Sequence, residues 1–383
     1  MKDSEININN VNNLFSNQML INESASRNPS LFIDTSPQSN KISFTFMLLM
    51  LLGVRRTSII FNSNYTQTKL MGFLYDKIQF VFIQLMQFLT TNLEREQYKK
   101  LLPNFPLEKY VLTYKCTPEF VYYLVRNSIK PIYDLDSNEY SMWISQFARV
   151  VDEYNKTNAD YFEENFDPNY LNKKKFMDES YKNIWNYISP ELFFIFSTLQ
   201  LKDIYLPKHR YDFEIEKNNK RIVKLQEENQ SKAISESLIR KNKKEISKLE
   251  NCINNLKKEM DFYAKHQEKI FKFLEKKNSV LLSDIPAENK REISKVLIQN
   301  CLFPRLVFSS TEALYASKML IMLINIKMHN INFFDLMQKF IKFLLPCVLT
   351  VTEFEALNIG YFLLEFLKVV KYWQDEKIWN QVF

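Results

Sequence analysis

Apolar residues recur at every third or fourth position along most of the chain, which is the period of amphipathic helices. Over residues 66–89 this period predicts a helix with one broad buried face, formed by Leu70, Phe73, Leu74, Ile78, Val81, Phe82, Leu85 and Leu89. It also predicts helices over 91–102, from Pro118, and over 139–154, 192–201, 288–299, 311–326, 333–351 and 353–373. We therefore predict an all-α fold, an elongated α-solenoid-like stack of antiparallel helix pairs.

The most apolar run, at residues 42–54, is followed at once by Arg55 and Arg56. It is shorter than the roughly 20 residues that a helix needs to cross a bilayer. The run therefore predicts a buried core helix and no membrane partner.

Residues 208–277 contain neither glycine nor proline and predict a long charged helical hairpin with a break near residues 229–237. Spacings of three and four residues define an apolar coiled-coil seam at Ile246, Leu249, Ile253, Leu256 and Met260. This stretch holds 19 basic and 12 acidic residues, whereas the rest of the chain holds 32 of each. All of the net charge of +7 therefore lies on the hairpin.

These patterns divide the chain into four segments. Residues 1–40 predict a flexible polar N-terminus, 41–207 the first part of the helical stack, 208–278 the inserted hairpin, and 279–383 the second part, truncated at its C-terminus. Only three glycines occur in 383 residues, against a usual ~7%. Folds that depend on tight turns or glycine-rich phosphate loops are excluded by this scarcity.

Groups that carry catalysis are few and scattered. The histidines are His209, His266 and His329, without partners at metal-ligand spacing, and we expect His266 to be solvated on the hairpin. The four cysteines are far apart and predict reduced, buried thiols. No nucleotide-binding glycine loop, nucleophile elbow or zinc-protease motif occurs in the sequence. We predict that the chain is not an enzyme and has no catalytic residue, cofactor or metal site.

Nucleic-acid binding is the alternative function that the charge pattern favours. The basic hairpin residues dense enough for phosphate contacts are Arg240, Lys241, Lys243, Lys244 and Lys248. Because Glu236, Glu245 and Glu250 lie between them, a solvated coiled-coil surface is the simpler interpretation. A contact with a partner protein's coiled coil is also open.

Three blocks of sequence resemble one known family. Residues 300–315 read N-C-L-F-P-R-L-V-F-S-S-T-E-A-L-Y, with Glu312 where the family usually has Asp. The second block is Thr352-Glu353-Phe354-Glu355-Ala356, Gly360-Tyr361-Phe362-Leu363 and Trp373-Gln374-Asp375, and the third lies in residues 184–215. Together they closely resemble the THO complex subunit 2 family, over roughly residues 40–383. The matching residues are Trp185, Ser189, Pro190, Asp203, Pro207, Cys301, Phe303, Pro304, Arg305, Phe308, Ser309, Ala313, Tyr315, Glu353, Glu355, Ala356, Gly360, Phe362, Trp373 and Asp375.

The resemblance implies a nuclear scaffold subunit of the THO complex, which couples transcription to mRNP assembly and mRNA export. The implied partners are the other THO subunits, a DEAD-box RNA helicase, export adaptors and mRNA. Family members are far longer than this chain, so we expect a fragment, from a truncated gene model or a split gene.

The motif residues themselves predict structural roles. Pro304 would fix a turn after the preceding helix, and Arg305 would pair with the carboxylate of Glu312. Ser309 would cap the next helix. Gly360 would let two helices approach closely.

Overall fold

The described part of the chain is helical and contains no strand, which confirms the all-α prediction. The computed structural model describes residues 43–61, 67–165, 184–230, 235–282, 285–286, 288–328 and 331–374. The predicted flexible N-terminus, His329 and the loop around Asp167 lie outside these residues. The solenoid arrangement and the four-segment division stay predictions.

The described helices fall into two compact units, and the short segment Pro131–Leu135 belongs to the second. The helices of the first unit are α1 (Phe44–Phe61), α2 (Thr68–Asn92), α3 (Arg95–Leu101), α4 (Glu108–Leu112), α5 (Pro118–Val125) and α6 (Ser137–Asn165). Those of the second are α7 (Pro190–Thr198), α8 (Leu201–Ile204), α9 (Lys208–Gln230), α10 (Glu236–Lys277), α11 (Ile293–Leu297), α12 (Phe303–Leu306), α13 (Ser310–Asn325), α14 (Phe333–Cys347) and α15 (Glu353–Tyr372).

The core of the first unit forms where α1 and α2 cross α5. The Phe82 ring of α2 stacks on the Phe120 ring of α5 with 4.2 Å between the centroids. Gly53 of α1 is the close-approach glycine, since a Cβ atom there would lie 2.9 Å from Cys116 Sγ and from the Phe120 ring. Arg56 is buried one turn on and donates to Thr117 Oγ1 at 2.9 Å. Small and charged side chains therefore allow α1 to lie directly against α5.

Two predictions about burial in this unit were too broad. In α1 the side chains of Phe46 and Leu49 are buried, but those of Phe44 and Leu51 are 76% and 63% exposed. In α2 the first turns are open as well, with Phe73 exposed. Each helix therefore buries one face and not its whole apolar circumference. None of the helices among the described residues is long and apolar enough to cross a membrane.

The most deeply buried helix of the second unit is α7. Every residue from Leu192 to Leu199 is buried, as predicted from a segment that is apolar nearly all round. The Ser189 hydroxyl accepts a hydrogen bond from the Leu192 N–H at 3.1 Å, and Pro190 occupies the first helical turn. This is the predicted N-terminal cap.

The hairpin consists of α9 and α10, whose ends at Gln230 and Glu236 lie where the sequence predicted the break. Its seam is half-buried to buried, with Ile253 of α10 only 7% exposed. Near the tip, Asn242 donates to the Asn229 side chain at 3.0 Å. Because a polar pair inside a coiled-coil seam is satisfied in one register only, this pair aligns the two helices.

The chain around Pro304 differs from the prediction of a turn. Residues 293–306 are continuously helical, as α11, the π-helical segment Ile298–Leu302 and α12. A proline lacks the N–H that an interior helical position would donate. The wider π-helical turn immediately before it is one of the distortions that accommodate such a break in the hydrogen-bond ladder.

The role predicted for Gly360 was wrong. This residue is exposed in α15, and nothing lies within 4 Å of the place where its Cβ would be. The close helix contact is made instead at Gly53, outside the recognised motif blocks.

Candidate functional site

The centre of the second unit is a buried guanidinium, that of Arg305. Its Nε donates to Glu312 Oε2 at 2.6 Å, and its Nη2 donates to the Leu199 carbonyl at 2.9 Å. Nη1 donates to the carbonyl of Phe196, and Nη2 also contacts Glu312 Oε2. The predicted pair with Glu312 is confirmed.

The same guanidinium closes the C-terminal end of α7. The acceptors at Phe196 and Leu199 are among the last carbonyls of that helix and its cap, which have no partner inside the helix. A cation at this end also interacts favourably with the helix dipole. The Tyr315 O–H donates to the Phe196 carbonyl at 3.0 Å, and the Tyr315 ring lies 3.6 Å below the guanidinium carbon. One arginine thus joins α7, α12 and α13.

The remaining residues of this motif cap α13 or are packed within the second unit. The Ser309 hydroxyl accepts from the Glu312 N–H, so that α13 begins at Ser310 as predicted to within one residue. Cys301, Phe308, Ala313 and Tyr315 are buried. Phe303 packs edge-on against Phe343 with 5.0 Å between the ring centroids.

The motif block in α15 is also structural. Thr352 and Glu355 form a reciprocal capping box at the start of the helix, while Glu353 and Ala356 are exposed. Phe362 is buried, and Trp373 packs edge-on against Phe333. Asp375 lies outside the described residues.

Asn358 is a contact in α15 that the sequence gave no reason to expect. It is fully buried, and its side-chain amide donates to the Val307 carbonyl at 3.0 Å. A buried amide bound to the end of α12 fixes α15 against it.

The third block places Asp203 beside His266, which corrects the prediction of a solvated histidine. His266 Nε2 lies 2.9 Å from Asp203 Oδ1, and Nδ1 lies 2.7 Å from the Tyr133 hydroxyl. Their side chains are 12% exposed for His266 and 13% for Asp203. Contacts at both ring nitrogens hold the imidazole between the Tyr133 hydroxyl and the Asp203 carboxylate. Burial also raises the pKa of Tyr133, which keeps its hydroxyl protonated.

The other residues of the third block lie around α7 and α9. The Trp185 ring packs edge-on against Phe193 at 5.6 Å, and Pro207 directly precedes α9. His209 is exposed in the first turn of α9. The motif residues of this block therefore hold α7 and the base of the hairpin in place.

The cysteines divide by burial, and this gives a direct prediction. Cys116 and Cys301 are buried and Cys252 is exposed, contrary to the expectation that all thiols are buried. Burial raises the pKa of the Cys116 thiol to about 12, so at pH 8 only ~10⁻⁴ of it is the reactive thiolate. With a chromogenic disulfide reagent followed by peptide mass spectrometry, we expect Cys252 to be labelled first. Cys116 and Cys301 should be labelled only in urea, and equal rates for Cys116 and Cys252 in the folded protein would contradict the structure.

The predicted nucleic-acid contacts lie together in the first turns of α10. Arg240, Lys241, Lys243, Lys244 and Lys248 are all exposed. Among the interleaved carboxylates, Glu245 is directed to α9, where its Oε1 accepts from Arg221 at 3.1 Å. In the described part of the chain, no group of three or more His, Cys, Asp or Glu side chains could hold a metal ion.

These contacts define a class of protein, an all-α chain whose buried polar clusters join helices to each other and to a hairpin. A family model described as "Transcription factor/nuclear export subunit protein 2" matches residues 185–383, about half of the chain. The chain therefore belongs to this family, Tho2, and the resemblance seen in the sequence is confirmed.

Curated relatives extend the similarity over nearly the whole chain. "THO complex subunit 2" of Arabidopsis thaliana is 24% identical over 375 residues, covering 94% of this chain and 20% of the relative. "THO complex subunit 2" of Homo sapiens is 22% identical over 352 residues, covering 86% of this chain and again 20% of the relative. The chain thus spans about a fifth of the length of the curated relatives it matches.

Proposed function

We propose that this chain is a helical scaffold segment of a THO complex and acts without catalytic chemistry of its own. It works in the nucleus, where it holds other THO subunits and couples transcription to mRNP assembly and mRNA export. By the same family relationship, a DEAD-box RNA helicase and export adaptors bind to the assembled complex.

The observation that supports this proposal is that the residues of the family motif join helices to each other. Arg305, Glu312 and Tyr315 are buried and hydrogen-bonded to the end of α7. None of their polar atoms is presented to a substrate, since the three side chains are at most 9% exposed. These residues fix the positions of helices relative to each other. This supports a scaffold, because a scaffold binds its partners at surfaces whose relative positions must be fixed.

Affinity purification tests the proposal. The tagged chain, expressed in cells that contain a THO complex, is expected to recover the other THO subunits as identified by mass spectrometry. Arg305→Met should lose this recovery because it disrupts the helices around α7. The matched control is Arg291→Met, which removes an exposed arginine and should leave recovery unchanged. Absence of every THO subunit from the wild-type purification would contradict the proposal.

A second function, nucleic-acid binding by the hairpin, does not depend on membership of the complex. The observation that favours it is the cluster of exposed basic side chains from Arg240 to Lys248. Phosphate groups are the ligands for which such a cluster provides salt-dependent affinity.

A further inference from the structure

The basic cluster at the tip of the hairpin is the start of a longer feature of α10. From Arg240 onward, one face of this helix carries exposed residues at spacings of four, four, three, four, three, four and three. Since successive residues of a helix are about 100° apart, these spacings keep the positions on one side. We call this face the basic stripe; its members are Arg240, Lys244, Lys248, Asn251, Asn255, Lys258, Phe262 and Lys265.

The basic stripe contains no carboxylate, although acidic residues are frequent elsewhere in the hairpin. Of the carboxylates near its edges, two are engaged with α9: Glu245 with Arg221, and Glu259 with the Tyr211 hydroxyl at 3.2 Å. Glu250 and Asp261, at the other edge, are exposed. The seam residue Ile246 follows Lys244 by two positions, or about 200° around the helix. The stripe therefore lies on the side of α10 opposite α9.

The composition of the basic stripe distinguishes between two classes of ligand. A partner helix needs an apolar seam at three- and four-residue spacing, yet Phe262 is the single apolar member among eight. A nucleic-acid backbone needs a row of cations, which Arg240, Lys244, Lys248, Lys258 and Lys265 provide. The charge pattern therefore favours nucleic acid over a coiled-coil partner.

Phe262 indicates which form of nucleic acid fits. Its ring is 64% exposed between Lys258 and Lys265, the neighbouring basic positions of the stripe. An aromatic ring within a basic groove or face is the arrangement on which single-stranded bases stack, irrespective of sequence. A duplex keeps its bases stacked on each other and offers the ring no free base.

We propose that the basic stripe binds single-stranded RNA or DNA along its length. The inference deepens the hairpin function proposed above and is independent of THO assembly. From Arg240 to Lys265 the helix axis rises about 38 Å. A strand stacked at ~3.4 Å per nucleotide covers this length with about 11 nucleotides.

Fluorescence anisotropy of the whole chain with oligouridylates and oligothymidylates of 6, 12 and 18 nucleotides tests the length and the ligand. At ~50 mM salt, affinity should rise steeply from 6 to 12 nucleotides and little from 12 to 18, with similar values for RNA and DNA. Five phosphate contacts predict a log–log salt slope of about −3.5. Affinity that is the same at 6 and 12 nucleotides would overturn the extended stripe.

Paired charge reversals test the location. The tip variant Arg240→Glu/Lys244→Glu and the middle variant Lys258→Glu/Lys265→Glu should each weaken binding about tenfold or more and flatten the salt slope. The control Lys257→Glu/Lys371→Glu makes the same change in net charge at exposed positions outside the stripe. The control should weaken binding clearly less than the other two variants. Circular dichroism should show the same helix content in all three variants as in the wild type.

The remaining outcomes separate this inference from the functions proposed above. Loss in the tip variant alone would overturn the stripe and leave hairpin binding in place. Equal effects of all three variants would overturn both the stripe and nucleic-acid binding by the hairpin. This outcome would not bear on the scaffold proposal, which the affinity purification tests separately. Phe262→Leu should weaken single-strand binding about tenfold. Unchanged binding in this variant, together with competition by polyglutamate as effective as by oligouridylate, would overturn the proposal and would indicate an acidic protein ligand.

Discussion

Replacing Arg305 by methionine is expected to lower the free energy of unfolding by about 3–5 kcal/mol, because it leaves a buried charge without its partner. Glu312, only 3% exposed, would keep a buried carboxylate that has lost the guanidinium. The carbonyls of Phe196 and Leu199 would lose the donors that close the end of α7. Methionine retains most of the side-chain volume, so the loss is electrostatic and not a packing defect. Urea unfolding followed by far-UV circular dichroism measures it.

Three further variants show whether the loss has this cause. Arg291→Met, on the surface, should change the stability by less than ~0.5 kcal/mol. Arg305→Lys keeps the charge but lacks the planar guanidinium and its stacking on Tyr315. Its free energy of unfolding should therefore lie between those of Arg305→Met and the wild type. Arg305→Met/Glu312→Leu removes both charges and should recover part of the stability. A double variant no more stable than Arg305→Met alone would contradict the role assigned to the ion pair.

The Arg305 cluster also shows how far sequence reasoning reaches. The pair with Glu312 could be predicted because the two residues are seven positions apart across a helix cap. The acceptors on α7 could not, since they lie 109 and 106 positions earlier in the chain. Helix periodicity specifies which face of a helix is buried, but not against which other helix it packs.

His266 illustrates the same limit at the base of the hairpin. It lies in the charged hairpin, which favoured a solvated ring. Its actual partners, Tyr133 and Asp203, lie 133 and 63 positions away. The basic stripe, by contrast, depends on spacing within a single helix. The predicted seam already indicated which side of α10 is outward, and the structure adds the burial that shows every member of the stripe to be exposed.

The close-packing role predicted for Gly360 belongs to Gly53, and identical substitutions at these two helical glycines should differ sharply. Gly53→Val is expected to destabilise the first unit by about 3 kcal/mol, the upper part of the usual cost of overpacking a core. Even the Cβ atom would lie 2.9 Å from Cys116 Sγ and from the Phe120 ring. The ring stacks on Phe82 and cannot move away without separating α2 from α5.

Gly360→Val is the matched control, because it adds the same atoms to a helical glycine with open space around its Cβ position. Valine and glycine differ by only a few tenths of a kcal/mol in helix propensity, so its stability should change by less than ~0.5 kcal/mol. Thermal unfolding followed by circular dichroism should show a large fall in the midpoint temperature for Gly53→Val and almost none for Gly360→Val. The reverse order would restore Gly360 as the close-packing glycine and would mean that α1 does not lie against α5 as described.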